Sequence, residues 1–160
     1  MTDYARLLRT LAESGTEFVV VGGIAALVHG AARATYDVDV VYARTPDNMA
    51  RLVSALAPLE PYLRGAPPGL PFTFDAATVS RGLNFTLTTT AGDIDVLGEI
   101  TLGGTYDMLL PHTTTVQILG VTCRCLSLER LIAVKRAAGR PKDNEAIAEP
   151  EALLEERGRH

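Results

Sequence analysis

Apolar residues recur along this chain with two periods, and the switches between them mark its elements. Tyr4, Leu7, Leu8 and Leu11 stand at i, i+3, i+4 and i+7, which makes one helical face apolar, and Gly15 is placed to stop the helix. Phe18-Val-Val-Val21 is a continuous aromatic and β-branched run, the pattern of a strand buried on both faces. The run ends at Gly22-Gly23. Ile24, Leu27, Val28 and Ala31 then resume helical spacing, so strand, glycine turn and helix follow one another directly. Residues 36–42 alternate around Val38, Val40 and Val41 and predict a second strand. Thr45 and Pro46 supply a cap and a first helical position for a helix whose buried stripe is Met49, Leu52, Val53 and Leu56.

The second half is patterned differently. Residues 58–71 hold five of the nine prolines and two glycines, which predicts a loop crossing either the mouth of a site or the sheet edge. Residues 84–90 and 93–100 predict a hairpin turning at Ala91-Gly92, and residues 113–119 and 121–126 a second one turning near Gly120. Ser127 caps a helix through Ala138 that Gly139-Arg-Pro141 breaks; a last helical stretch starts near Asp143, and the tail 155–160 is polar enough to fray. No internal repeat is visible.

Length narrows the architecture, since 160 residues suit one α/β domain with a substantial core, and residues 127–155 form its C-terminal helical part. Hydrophobic residues at 47% and charged residues at 21% exclude a disordered, fibrous or disulfide-stapled chain. A net charge of -4 leaves any nucleic-acid contact to a local patch. The apolar runs are too short and interrupted to span a bilayer, and the first residues lack a basic patch followed by a hydrophobic run, so a cytoplasmic location is expected. Cys123 and Cys125, two apart in a strand, read as reduced packing thiols.

The candidate chemistry sits on the second strand. Asp37 and Asp39 share one face while Val38 and Val40 share the other. Two adjacent carboxylates either face solvent beside a turn or hold a hard divalent cation, which takes oxygen ligands together with substrate phosphates. Gly22-Gly23 either makes a tight turn or lets backbone N–H groups approach a phosphate at the start of a helix. Gly92-Asp-Ile-Asp95-Val offers a third carboxylate, and Asp95 lies deeper in its strand than the turn-side Asp93. On the late helix Leu128, Leu131 and Ile132 define a buried stripe, with Lys135 near its middle. Its ammonium group serves a phosphate or acidic partner, or else reaches water along its stem. His29 and Arg33 share a helical face, where Arg33 is either a phosphate clamp or half of a solvated pair. Thr35 reads as a strand-start residue.

Gly22-Gly23, thirteen residues, Asp37-Val-Asp39 and a later strand bearing Asp95 together resemble the signature of the DNA polymerase β-like nucleotidyltransferase superfamily. The string from Gly22 through His29-Gly30, Arg33 and Thr35 to Asp39 is similar to a minimal bacterial subgroup that includes the type IV abortive-infection toxins. The likeness is closest over residues 17–42 and looser over 84–98 and 127–147. It implies a mixed β-sheet flanked by helices, with metal ions on Asp37, Asp39 and Asp95. It also implies nucleotide phosphates at Gly22 and Gly23, and site roles for Lys135 and for Asp143, whose plain reading is a helix cap. The implied activity is Mg²⁺-dependent (or Mn²⁺-dependent) transfer of a nucleoside monophosphate from ATP or another NTP to an acceptor hydroxyl on tRNA, protein or a small molecule. A cognate antitoxin is the implied protein partner. The alternative from another class is a non-catalytic nucleotide-binding or regulatory module of the same fold.

Overall fold

The computed structural model describes residues 2–30, 37–101 and 104–138. Helix α1, Tyr4–Glu13, starts where the Asp3 side chain accepts the Arg6 N–H at 3.1 Å, and it buries Leu7, Leu8 and Leu11. Strand β1, Phe18–Val21, is buried along its whole length and runs straight into α2, Gly22–Val28. Strand β2, Asp37–Tyr42, precedes α3, Pro46–Leu56, whose Thr45 hydroxyl caps Asn48 N–H and whose first position is proline, as the sequence predicts.

A 3-10 turn at Ala57–Leu59 leads to a two-residue strand β3, Tyr62–Leu63, and α4, Ala76–Arg81, follows. Neither element is announced by the sequence, because two and six residues are too few to show a period. Next come β4, Asn84–Thr89, β5, Gly92–Leu97, the short pair β6, Glu99–Ile100, and β7, Gly104–Thr105, and the single turn α5, Tyr106–Leu109. The strand expected to run to residue 100 ends at Leu97, where Gly98 breaks it and β6 leaves to pair with β7. Strands β8, Thr113–Ile118, and β9, Val121–Leu126, form the second hairpin, and α6, Leu128–Ala138, closes the described chain. The β8–β9 turn places Leu119 and Gly120 at φ 51° and 82°, the two positive values of a type I′ turn.

Seven strands form one mixed sheet in the order β3-β4-β5-β2-β1-β9-β8. Strand β1 is antiparallel to β2 and parallel to β9, while β2 is parallel to β5. On one face Phe18, Val20, Val38, Val40, Ile94 and Val96 pack against Leu7, Leu8 and Leu11 of α1, Leu52 and Leu56 of α3 and Val79 of α4. Each such side chain contributes about 1.5–3 kcal/mol when fully buried, so this face anchors the sheet. On the other face Val19, Val21 and Val41 pack under Ala25 of α2, Leu109 of α5 and Leu131 of α6. Farther along the same face β2 and β5 carry carboxylates, and β4 carries Thr86 and Thr88, the residues paired with Asp95 and Asp93.

Candidate metal and nucleotide site

Parallel pairing of β2 with β5 sets Asp37 level with Asp93 and Asp39 level with Asp95. One carboxylate oxygen each from Asp37, Asp39 and Asp95 lies within 4.8 Å of the others. The deeper acid of β5 thus joins the pair on β2, and Asp93 is not in this group. Val38 and Val40 point into the opposite core, as alternation requires.

Three carboxylates this close disfavour full ionisation. Burial pushes Asp39 up to about 8, and the charges of Asp37 and Asp95 add to the effect. Asp37 is raised as well, first by burial and then by Asp95; Arg64 opposes the shift in both. The Asp39 Oδ1 atom is buried without a hydrogen-bond partner. Converging oxygen ligands, mutual repulsion and an orphaned buried oxygen fit a hard divalent cation, Mg²⁺ or Mn²⁺.

Beside this group the chain turns at Gly22, whose φ is +66°, a value L side chains rarely adopt. A Cβ there would also fall on the Asp39 carboxylate, within 2.9 Å of its Cγ. The glycine thus serves both the turn and the room Asp39 occupies. Gly23 follows inside α2. His29, the residue capping α2, is half-buried with Nε2 at 2.8 Å from the Leu126 carbonyl, which ties the helix to the end of β9.

Leu128, Leu131 and Ile132 of α6 are buried, as the stripe predicts, and α6 packs against α2. Lys135 is half-buried on the last turns of α6. Arg33, Thr35 and Asp143 lie outside the described residues. Cys123 and Cys125 are free, buried thiols whose burial pushes them up to about 11 and about 12, in keeping with a packing role.

Arg64, a site residue that sequence reading misses, stands just beyond β3. Its guanidinium approaches Asp95 at 2.8 Å, Asp93 at 3.4 Å and Asp37 at 3.6 Å. Pairing of β3 with β4 delivers it, continued by an Arg64 N–H to Thr86 carbonyl bond of 3.0 Å. The proline-rich segment, expected as a loop crossing either the site mouth or the sheet edge, instead contributes the edge strand β3, and its Arg64 reaches the carboxylates. The one signal in the sequence is indirect, an excess of acids on one face that demands a cation.

A sequence profile of the family described as nucleotidyl transferase AbiEii toxin, type IV toxin–antitoxin system, matches residues 6–146. Among solved structures, the chain is similar to a crystal structure of a candidate nucleotidyltransferase from Thermotoga maritima. The TM-score is 0.58 at 15% identity, over 98% of this chain and 96% of that one, and a likeness at that identity is one of fold. Among curated proteins none matches significantly.

Proposed function

This chain belongs to the nucleotidyl transferase AbiEii toxin family and is a nucleotidyltransferase, and from that premise we propose that it moves a nucleoside monophosphate from a Mg²⁺-bound NTP to an acceptor hydroxyl. The observation that carries this reading is the convergence of Asp37, Asp39 and Asp95, with one carboxylate oxygen from each within 4.8 Å of the others. In this reading Asp37, Asp39 and Asp95 hold the cation, with Mn²⁺ as a substitute for Mg²⁺. When bound, the ion neutralises charge on the triphosphate and makes an attached hydroxyl easier to deprotonate.

The protein's own groups do the rest by position. Asp95 orients the acceptor hydroxyl and takes its proton as the oxygen bonds to the α-phosphorus and pyrophosphate departs. Backbone N–H groups at Gly22 and Gly23 receive phosphate oxygens at the turn between β1 and α2. Lys135 and Arg33 balance the remaining phosphate charge, and Asp143 belongs to the same site. In this reading the acceptor is tRNA, and a cognate antitoxin is the protein partner. No helix among the described residues is long and apolar enough to cross a membrane.

The test incubates the protein with each α-labelled NTP, Mg²⁺ and cellular RNA or protein. Label is expected in the tRNA pool with one preferred NTP. Asp37→Asn, Asp39→Asn and Asp95→Asn should each lower transfer on the order of a hundredfold or more while the protein still folds. Label in protein alone would move the acceptor, and near-wild-type transfer by any of the three variants would remove that carboxylate from the mechanism. Failure to label any pool, with no Mg-NTP binding by calorimetry, would defeat the reading.

A further inference from the structure

Among the described residues, the guanidinium of Arg64 is the cation in salt-bridge contact with these carboxylates. It contacts two of the three clustered acids, Asp37 and Asp95, and also Asp93. Its backbone is fixed in place: β3 pairs with β4 just before it, and the Tyr62 hydroxyl holds the following segment through the Pro67 carbonyl and the Leu70 N–H. The side chain is held less firmly. Its aligned hydrogen bond goes from Nη2 to the Leu87 carbonyl at 2.7 Å, whereas the contacts to Asp95, Asp93 and Asp37, at 2.8 Å, 3.4 Å and 3.6 Å, are ion pairs without hydrogen-bond alignment. At 27% exposure the side chain has a route toward solvent.

We propose that Arg64 is a displaceable counter-cation and a phosphate-contacting residue: it holds the acidic cluster before nucleotide binds and turns onto the triphosphate when a divalent cation takes the carboxylates. The proposal rests on the nucleotidyltransferase reading above. A divalent ion seated among Asp37, Asp39 and Asp95 claims oxygens of the two residues Arg64 engages there, and two cations this close repel. Once the ion has taken Asp37 and Asp95, the guanidinium keeps Asp93 and lies next to whatever phosphate the ion carries. A planar fork of five donors matches the oxygens of a phosphate. Arg64 therefore acts in opposite directions on two ligands: it competes with the bare metal ion and assists the metal–nucleotide complex.

That opposition gives the test. Mn²⁺ binding is followed by electron paramagnetic resonance for wild type, Arg64→Gln and Arg64→Lys, first alone and then with a non-hydrolysable NTP analogue; Asp39→Asn serves as the site control. Arg64→Gln is expected to bind bare Mn²⁺ at least about fivefold more tightly and the Mn²⁺-bound analogue about tenfold more weakly than wild type. Arg64→Lys keeps a charge but not the fork, so its shifts should have the same signs and smaller size. It also carries the test if thermal melts in EDTA show Arg64→Gln unfolded. Both affinities falling together would make Arg64 a purely structural residue, and both unchanged would make it a bystander; either overturns the proposal while the site reading stands. No Mn²⁺ binding by wild type, with or without analogue, would instead overturn the nucleotidyltransferase reading itself.

Discussion

Gly22 and Asp39 compete for the same small volume: the Asp39 carboxylate lies where a Cβ on Gly22 would stand, and the two are brought together by the pairing of Val21 with Asp39 across β1 and β2. The turn that opens α2 and the carboxylate that faces it are therefore one unit. Either the backbone keeps its left-handed glycine or the acid loses its position.

Gly22→Ala should accordingly cost stability and site function together. A left-handed alanine costs about 1–2 kcal/mol, and the added methyl pushes the Asp39 carboxylate aside. Gly120→Ala is the control, since Gly120 has φ +82° and nothing within 4 Å of a Cβ. Comparable melting losses in the two variants, with divalent-ion binding lost in Gly22→Ala alone, are the expected result. Intact ion binding in Gly22→Ala would show that Asp39 has room to move.

The raised Asp39 carboxyl predicts an unusual pH dependence. Folded, it holds its proton up to about 8; unfolded, it releases it near 3.8. The folded state binds more protons between those values, so the contribution of Asp39 to stability is greatest below that window and declines as pH rises through about 8. Asp37 is shifted in the same direction. In EDTA, the melting temperature of wild type minus that of Asp39→Asn should fall steadily from pH 4 toward pH 9. Metal affinity should run the opposite way, because binding must expel the proton, and Mg²⁺ should raise the wild-type melting temperature most at the alkaline end. A melting difference that is flat with pH would show that Asp39 titrates normally.

For Lys135 the charge and the stem are separable. Lys135→Met keeps the apolar length along α6 and removes the ammonium group. If that group meets the triphosphate, the variant should bind NTP about ten- to a hundredfold more weakly with little change in melting temperature. Unchanged NTP affinity together with normal stability would mean that the amine serves only water.

Asn48 offers a test of the frame without touching the site. It is wholly buried on α3, accepts the Glu17 N–H at 2.6 Å and donates to the Glu17 and Ala43 carbonyls at 3.0 and 2.8 Å. These bonds fasten the start of β1 to the end of β2. Asn48→Ala leaves backbone groups without partners and should destabilise the protein by about 2 kcal/mol or more. Transfer by the fraction still folded, measured at low temperature, should match wild type. A specific-activity loss exceeding the unfolded fraction would mean that β2 registry itself depends on Asn48.

Much of this protein is determined by its sequence because much of it is local. The 3.6-residue stripe of Leu7, Leu8 and Leu11 specifies α1, Thr45-Pro46 starts α3, and Gly120 turns the β8–β9 hairpin, all through interactions among near neighbours in the chain. Period-2 alternation likewise puts Asp37 and Asp39 on one face, and it sets Asp95 on one face of its own strand. Alternation does not say which strand lies beside which, or at what register. The parallel pairing that sets Asp95 level with Asp39 joins residues 56 apart in sequence and is decided by the packing of Val38, Val40, Ile94 and Val96 against α1 and α3. Arg64 depends even more on tertiary structure. Its strand is two residues long, carries no period, and is held by backbone bonds to β4, so its place against three carboxylates follows from sheet assembly and from their demand for a positive charge.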